Sequence, residues 1–142
     1  MATTSSTGTT CITPPRSLSL RLSPFPFIPD EEFNLLLANG RISREHQQRD
    51  AHFDPAPVVK LYLPGSDAVW LISELDPETP TIGFGLADLG VGFPELGFVD
   101  LQEIHEVSAK RGVFIAQDWD FRPAKSVGQY ARDARRAGRI VT

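Results

Sequence analysis

The middle of the chain carries short runs of apolar residues, rich in β-branched and aromatic side chains, that are typical of strands. Residues 58–63 and 69–75 are two such runs, and the Pro-Gly-Ser-Asp sequence between them predicts a turn. A third strand is predicted at residues 81–89 and a fourth at residues 96–99. Because short turns join these runs, we expect an antiparallel meander.

The third predicted strand contains a sign of irregularity, and a further strand is predicted later in the chain. Gly83 and Gly85 flank Phe84 in the third predicted strand, which indicates a bulge or a close approach of another backbone. Further along the chain, residues 113–116 resemble another strand, and residues 118–121 alternate acidic and aromatic side chains as an extended segment would.

Three segments have a helical pattern. The first helix is predicted to begin at Asp30 and to end at Asn39-Gly40, the second covers residues 100–111 with Asp100 as its N-cap, and the third begins at Pro123 and ends near residue 136. The residues predicted to face the sheet are Phe33, Leu36 and Leu37 in the first helix, Leu101, Ile104 and Val107 in the second, and Val127, Tyr130, Ala131 and Ala134 in the third. The predicted fold is therefore α+β, with a small antiparallel sheet of three to five strands and two to three flanking helices.

Length and composition indicate one domain. The chain has 142 residues, of which 41% are hydrophobic, and this suffices for a single modest core over residues 30–142. Residues 1–29 are rich in Ser, Thr and Pro and contain no acidic residue, so we predict a disordered or weakly ordered N-terminal extension. The apolar residues between Pro24 and Pro29 could still attach this extension to the domain.

The chain contains no apolar run near the roughly 18 residues that a membrane helix needs. The single cysteine, Cys11, excludes an internal disulfide and fits a reducing compartment, so we expect a cytoplasmic protein without a membrane partner.

Charge is unevenly distributed along the chain. Residues 30–121 contain 6 basic and 17 acidic residues, whereas residues 122–142 contain 6 basic residues and 1 acidic residue. The acidic body disfavours general nucleic-acid binding. Four arginines at helical spacing form a possible basic contact face, namely Arg132, Arg135, Arg136 and Arg139. This face is either the solvated end of the last helix, where cations are favourable, or a phosphate contact.

The sequence contains no specific catalytic motif. The three histidines, His46, His52 and His105, do not form a His-Glu-x-x-His pair or a Cys/His ligand set, so we expect neither a metal nor a cofactor. Four carboxylates could converge across neighbouring strands and serve as general acid and base, namely Glu74, Asp76, Asp88 and Glu95. We predict a non-enzymatic protein, with a carboxylate-dependent enzyme as the alternative.

Residues 41–57 are polar, and we predict that they form a long loop with a binding role. Within it, residues 48–53 read Gln-Arg-Asp-Ala-His-Phe and resemble the hexapeptide by which bacterial replication proteins dock on the sliding clamp. In such a segment Phe53 and Ala51 would fill an apolar cleft of the clamp, with His52 beside them. The Gln48 amide would form hydrogen bonds at the edge of that cleft. Clamp motifs usually carry leucine at the position of Ala51. Because alanine fills less of the cleft, it should lower the binding free energy by about 1–3 kcal/mol.

Two alternatives concern this motif. Phe53 could instead pack under the strand that follows it. Residues 117–121 are a second loose match, for which the strand-like alternation of side chains makes a structural role the better interpretation.

Several blocks of sequence resemble the bacterial domain-of-unknown-function family 2958, over about residues 33–140. These blocks are PVVKL at 57–61, WLISELDP at 70–77, FGLADLG at 84–90, PELG at 94–97 and the segment 118–123. The family implies no chemistry that transfers to individual residues. Through the 48–53 hexapeptide the chain is also similar to proteobacterial toxins that act on the clamp. That resemblance implies three partners: the β subunit of DNA polymerase III, which is the sliding clamp, an antitoxin that serves as a proteolytic adaptor, and the ClpXP protease.

The resemblance thus implies a toxin that excludes the replicative polymerase from the clamp, and we expect it to act without cofactor or direct nucleic-acid contact. The alternatives are a small carboxylate-dependent enzyme and a nucleic-acid-binding accessory protein of mobile elements that uses the four arginines.

Overall fold

Five strands form one antiparallel sheet in the part of the chain that the structure, a computed structural model, describes, which is residues 20–142. They are β1 (Val59–Tyr62), β2 (Val69–Leu75), β3 (Ile82–Asp88), β4 (Glu95–Asp100) and β5 (Ala116–Gln117). Their order across the sheet is β4-β3-β2-β1-β5. The first four strands form the predicted meander, and β5 returns to pair with β1.

Three helices accompany this sheet over the same residues: α1 (Asp30–Gln48), α2 (Leu101–Lys110) and α3 (Val127–Ala137). The predicted α+β class is therefore confirmed. No helix in the described residues is both long and apolar enough to cross a membrane.

The sheet is covered on both faces, which follows from the alternation of side chains along its strands. On one face, here called the α1 face, Trp70 and Ile72 of β2 belong to the same buried cluster as Phe33 and Leu36 of α1. On the opposite α3 face, Leu71 packs with the buried side of α3. The α3 residues predicted to be buried, Val127, Tyr130, Ala131 and Ala134, are all buried.

Helix α1 is longer than predicted. Asn39-Gly40 does not end the helix, which continues to Gln48, so residues 41–48 of the predicted 41–57 loop are helical, whereas residues 49–57 form a loop as predicted. Gly40 serves packing instead of termination, because a Cβ atom at this position would lie 1.9 Å from the Leu75 carbonyl oxygen. Asn39 likewise contacts β2, donating from Nδ2 to the Ser73 carbonyl oxygen at 2.9 Å.

A β-bulge at Ser73 determines which residues of β2 face the core. The register runs from Ile72 opposite Gly85 to Glu74 opposite Phe84, which leaves Ser73 as the extra residue. The bulge is thus in β2, and the glycines that predicted it lie across from it in β3. Because of this shift, Glu74 joins Phe84 on the α3 face, whereas strict alternation from Ile72 would have turned it to the α1 face.

Two helix predictions need correction. In α2, Val107 is exposed and Ser108 is buried, because residues 101, 104 and 108 share the side of the helix that faces the protein. Helix α3 begins at Val127 and not at Pro123, since the Ser126 hydroxyl accepts the Gln129 N–H at 3.1 Å and caps the helix there. The predicted cap Asp100 is confirmed, because its carboxylate accepts the Glu103 N–H at 3.0 Å.

The strand prediction near the C-terminal end was too long. Only β5 is a strand there, and the chain turns immediately after it, with the Phe121 N–H donating to the Asp118 carbonyl oxygen at 3.3 Å. The Asp118 carboxylate stabilises this turn by accepting the Asp120 N–H at 3.0 Å.

Part of the predicted N-terminal extension packs on the domain. Phe25, Phe27 and Ile28 are buried in the same cluster as α1. The Gln117 side chain donates from Nε2 to the Phe27 carbonyl oxygen at 2.9 Å and is itself buried. This agrees with the alternative that residues 24–29 attach the extension to the domain, whereas residues 1–19 of the predicted extension lie outside the described residues.

Strand β4 is an edge of the sheet and carries exposed apolar side chains. Phe98 is 80% exposed, and the β3–β4 turn adds the exposed residues Leu89, Val91 and Phe93. Acidic residues, Glu95 and Asp100, stand at the two ends of this strand.

Candidate functional site

A cleft lies between the C-terminal half of α1 and side chains of strands β2, β3 and β4, and we call it the α1 cleft. Its volume is about 230 Å³. Glu74, Phe84 and Phe98 come from the sheet, while the remaining lining comes from α1 and the segment after it, namely Ser43, His46, Gln47, Ala51, His52 and Phe53. The close approach of Gly40 to β2 brings α1 near enough to form one wall of this cleft.

Glu74 is the charged residue from the sheet in the α1 cleft. Its burial raises the pKa of the carboxyl group, the negative charge of Asp76 adds to this effect, and the Ser43 hydroxyl opposes it. Within residues 20–142, no nitrogen of Lys, Arg or His lies within 4.0 Å of the Glu74 carboxylate. A half-buried carboxylate therefore faces the cleft without a close counter-charge from the described chain.

Aromatic rings surround this carboxylate. Phe84 and Phe98 are cross-strand neighbours whose ring centroids lie 5.5 Å apart in an edge-to-face arrangement. On the helix side, the His46 and Phe53 ring centroids are 5.2 Å apart. His46 Nδ1 lies 2.9 Å from the Ile42 carbonyl oxygen, and because a carbonyl oxygen only accepts, this nitrogen carries a proton.

The predicted clamp motif begins at Gln48, the last residue of α1, and continues through residues 49–53 of the loop that leads to β1. Gln48 is the last residue of the helix, and the Ala51 N–H donates to the His46 carbonyl oxygen at 2.7 Å. Asp50 adopts a left-handed conformation with φ of 55°, which turns the chain. Gln48, Ala51 and His52 are exposed, and Phe53 is half-buried in the α1 cleft.

The residues after the motif are anchored to α3, a contact that sequence reasoning missed. The Asp54 carboxylate accepts the Gly128 N–H at 2.9 Å, and the Pro55 carbonyl oxygen accepts the Val127 N–H at 2.8 Å. These bonds satisfy free N–H groups in the first turn of α3. An Asp-Pro pair in a polar segment is the only sequence signal for this anchor, and it is not specific.

The four arginines do not form one helical face. Helix α3 ends at Ala137, and Gly138 follows with φ of 76°, so Arg139 lies beyond the helix. Arg139 lines a separate cavity of about 750 Å³ next to the residues that follow α3, together with Lys60 and Asp118, whose charged atoms are 3.4 Å apart. The other three arginines are exposed on α3, namely Arg132, Arg135 and Arg136.

Of the four sheet carboxylates, Glu74 and Asp76 lie close together and line one cavity, whereas Asp88 and Glu95 line two other cavities. Asp88 and Glu74 share the α3 face, but Glu74 lies opposite Phe84, which is four residues, or about 13 Å, from Asp88 along β3. Both oxygens of the buried Asp88 accept backbone N–H groups, from Gly90 and from Ile140, each at 2.9 Å. Asp88 therefore has a structural role in fixing the C-terminal segment.

His105 and Gln117, the remaining candidate residues, pack against the N-terminal segment. His105 packs against Phe27, with 5.6 Å between the ring centroids. Gln117 of the second motif match is buried against the N-terminal segment, which confirms its predicted structural role. In the part of the chain that is described, no group of three or more His, Cys, Asp or Glu residues could hold a metal ion.

Fold and cleft together define a small α+β protein with helices on both faces of an antiparallel sheet and a carboxylate-containing cleft beside α1. The model of the family described as "Protein of unknown function (DUF2958)" matches residues 27–141, and the chain belongs to this family. The family resemblance inferred from the sequence blocks is thereby confirmed. Neither a curated protein nor a solved structure matches the chain.

Proposed function

We propose that the protein is a non-enzymatic toxin that binds the bacterial sliding clamp through residues 48–53 and blocks elongation of replication. One observation carries the proposal: Gln48, Ala51 and His52 are exposed together at the end of α1, in a segment that belongs to no strand. The Gln48 amide and the Phe53 ring would be the principal anchors, as in other linear motifs that insert a few side chains into a groove.

Binding of this kind requires a local change at the end of α1. Phe53 has to leave the α1 cleft, and the bond between Ala51 and His46 has to open so that residues 49–53 become extended. The left-handed Asp50 favours opening, since this conformation is costly for a residue with a side chain. The Asp54 contact with α3 limits the change to the residues before it.

The hexapeptide also underlies a likeness to the proteobacterial toxin SocB. Under this proposal the partner is the β subunit of DNA polymerase III, and the protein occupies the site that the replicative polymerase uses. ClpXP would degrade it with SocA as adaptor. The mechanism needs no cofactor, and Arg132 and Arg135 could contact DNA that passes through the clamp.

The test is binding of the purified protein to the clamp by isothermal titration calorimetry. We expect micromolar affinity, loss of binding in Gln48→Ala/Phe53→Ala, and unchanged binding in the matched control Arg49→Ala, which alters an exposed residue between the anchors. At equal protein abundance in cells, the wild type and Arg49→Ala should be toxic, and Gln48→Ala/Phe53→Ala should not. Folded wild-type protein that does not bind the clamp would refute the proposal.

A second candidate is a carboxylate-dependent enzyme, and the surroundings of Glu74 favour it. A carboxyl group with a raised pKa in a cleft suits general acid catalysis. Asp76 lies close enough to influence Glu74. If toxicity persists in Gln48→Ala/Phe53→Ala but is lost in Glu74→Gln, the result would support the enzyme over the clamp-binding toxin.

A further inference from the structure

Besides the clamp-motif residues that line it, the α1 cleft contains a carboxylate and two aromatic rings from the sheet. The Glu74 carboxylate is half-buried, and the described residues provide no cation within 4.0 Å of it. A partly desolvated carboxylate gains more from an opposite charge than an exposed one does, because the surrounding dielectric is lower. Arg44, Arg132 and Arg135 line neighbouring cavities that Glu74 also lines, but none of them lies within 4.0 Å of its carboxylate, and Arg44 is paired with Asp76 and Glu78. The Glu74 carboxylate is therefore available to a cationic ligand.

The α1 residues that line the cleft add hydrogen-bonding groups to the negative charge of Glu74. His46 carries a proton on Nδ1, which is directed to the Ile42 carbonyl oxygen, so Nε2 is the ring nitrogen that remains for a ligand. The Ser43 hydroxyl and the Gln47 carboxamide, which also line the cleft, offer further acceptor oxygens. A ligand with several N–H donors satisfies these groups together.

The rings decide which kind of cation fits. Phe98 is 80% exposed, and Phe84, its edge-to-face partner, is the cross-strand neighbour of Glu74. A planar guanidinium stacks on aromatic faces and presents several N–H donors in a fixed fork that matches a carboxylate, whereas an ammonium ion is compact and strongly hydrated. A cleft of about 230 Å³ also has room for an aliphatic chain attached to the cation.

We propose that the α1 cleft binds an alkylguanidinium cation, such as an arginine side chain, with Glu74 as counter-ion and with Phe84 and Phe98 as stacking surfaces. The cation can come from a free guanidinium compound or from an arginine residue of a partner protein. The same groups recognise both sources.

The test is a titration of the full-length protein followed by two-dimensional ¹H–¹⁵N NMR. Three probes are compared: methylguanidinium, the neutral and similarly shaped methylurea, and the peptide acetyl-Gly-Arg-Gly-amide. We expect saturable shifts at the amides of residues 74, 84 and 98 with both cations and none with methylurea. Tighter binding of the peptide than of methylguanidinium supports a partner protein as the source, and equal binding supports a free compound.

Variants separate the charge from the apolar surface. Glu74→Gln should weaken binding of the cationic probes about tenfold or more, because it removes the charge while preserving size and acceptor oxygen. Phe98→Leu should weaken it several-fold. The control Glu95→Gln removes an exposed carboxylate from the same strand as Phe98 and should have no effect. The proposal is overturned if methylurea binds as tightly as methylguanidinium, or if Glu74→Gln binds the cations as the wild type does.

Discussion

Replacing Gly40 by alanine tests whether the length and position of α1 depend on a close approach to β2. The added Cβ atom would lie 1.9 Å from the Leu75 carbonyl oxygen and 3.1 Å from Pro77 Cδ. Carbon and carbonyl oxygen rarely approach more closely than about 3.3 Å, so helix and strand have to separate by roughly 1.4 Å. The obstacle is backbone, so no side-chain rotation can relieve it.

The expected cost follows from what this separation disturbs. Phe33, Leu36 and Leu37 anchor α1 in the core and are at most 1% exposed, so even a small gap forfeits dispersion contacts. Overpacking of this kind costs about 1–3 kcal/mol. Loss of the bond from Asn39 to Ser73 adds about 1 kcal/mol, and the better helix propensity of alanine returns about 1 kcal/mol. We therefore expect a net destabilisation of about 1–3 kcal/mol.

Urea denaturation monitored by circular dichroism measures this difference, with the slope of the transition as a check that the folded state keeps its compactness. Gly97→Ala is the matched control, because Gly97 has open space where its Cβ would be, and we expect it to be neutral or stabilising. A Gly40→Ala protein as stable as the wild type would refute the argument that this glycine is required by packing.

Three further predictions concern polar groups. Gln117→Ala leaves the Phe27 carbonyl oxygen without its partner and should cost about 1–3 kcal/mol in urea denaturation. Asp88→Asn removes the charge from a buried carboxylate that accepts the Ile140 N–H, so we expect a loss of about 1.5–3 kcal/mol and faster hydrogen exchange at that amide. The raised pKa of Glu74 means that the folded state binds its proton more tightly than the unfolded state, so this residue's contribution to stability falls as the pH rises from the ordinary glutamate value through the folded pKa. Glu74→Gln should accordingly raise the melting temperature at neutral pH, and a difference that is larger in acid than at neutral pH would contradict this assignment.

The sheet could be predicted from local patterns, since strands β1 to β4 each coincide with an apolar run bounded by turn residues. The end of α1 could not, because Asn39-Gly40 has the composition of a helix stop, and only the proximity of Leu75 shows that this glycine serves packing. The length of the 41–57 loop was overestimated for the same reason.

The α1 cleft was beyond sequence reasoning because it depends on a non-local register shift. Gly83 and Gly85 correctly indicated irregularity, but they do not reveal that the extra residue is Ser73 in the neighbouring strand. Without this bulge Glu74 would be assigned to the other face of the sheet. The separation of Asp88 from Glu74 likewise follows from strand pairing, which residue types do not encode locally.

The exposed edge at β4 bears on self-association. If two copies paired antiparallel through this strand about its centre, Glu95 of each copy would lie opposite Asp100 of the other, and like charges directly opposed destabilise a strand pair. This repulsion strengthens as ionic strength falls. The acidic residues at the two ends of β4 thus disfavour pairing of this edge strand with another copy of the chain, as charged residues do at other sheet edges. Phe98 is thereby exposed on an edge where pairing with a second copy is electrostatically disfavoured.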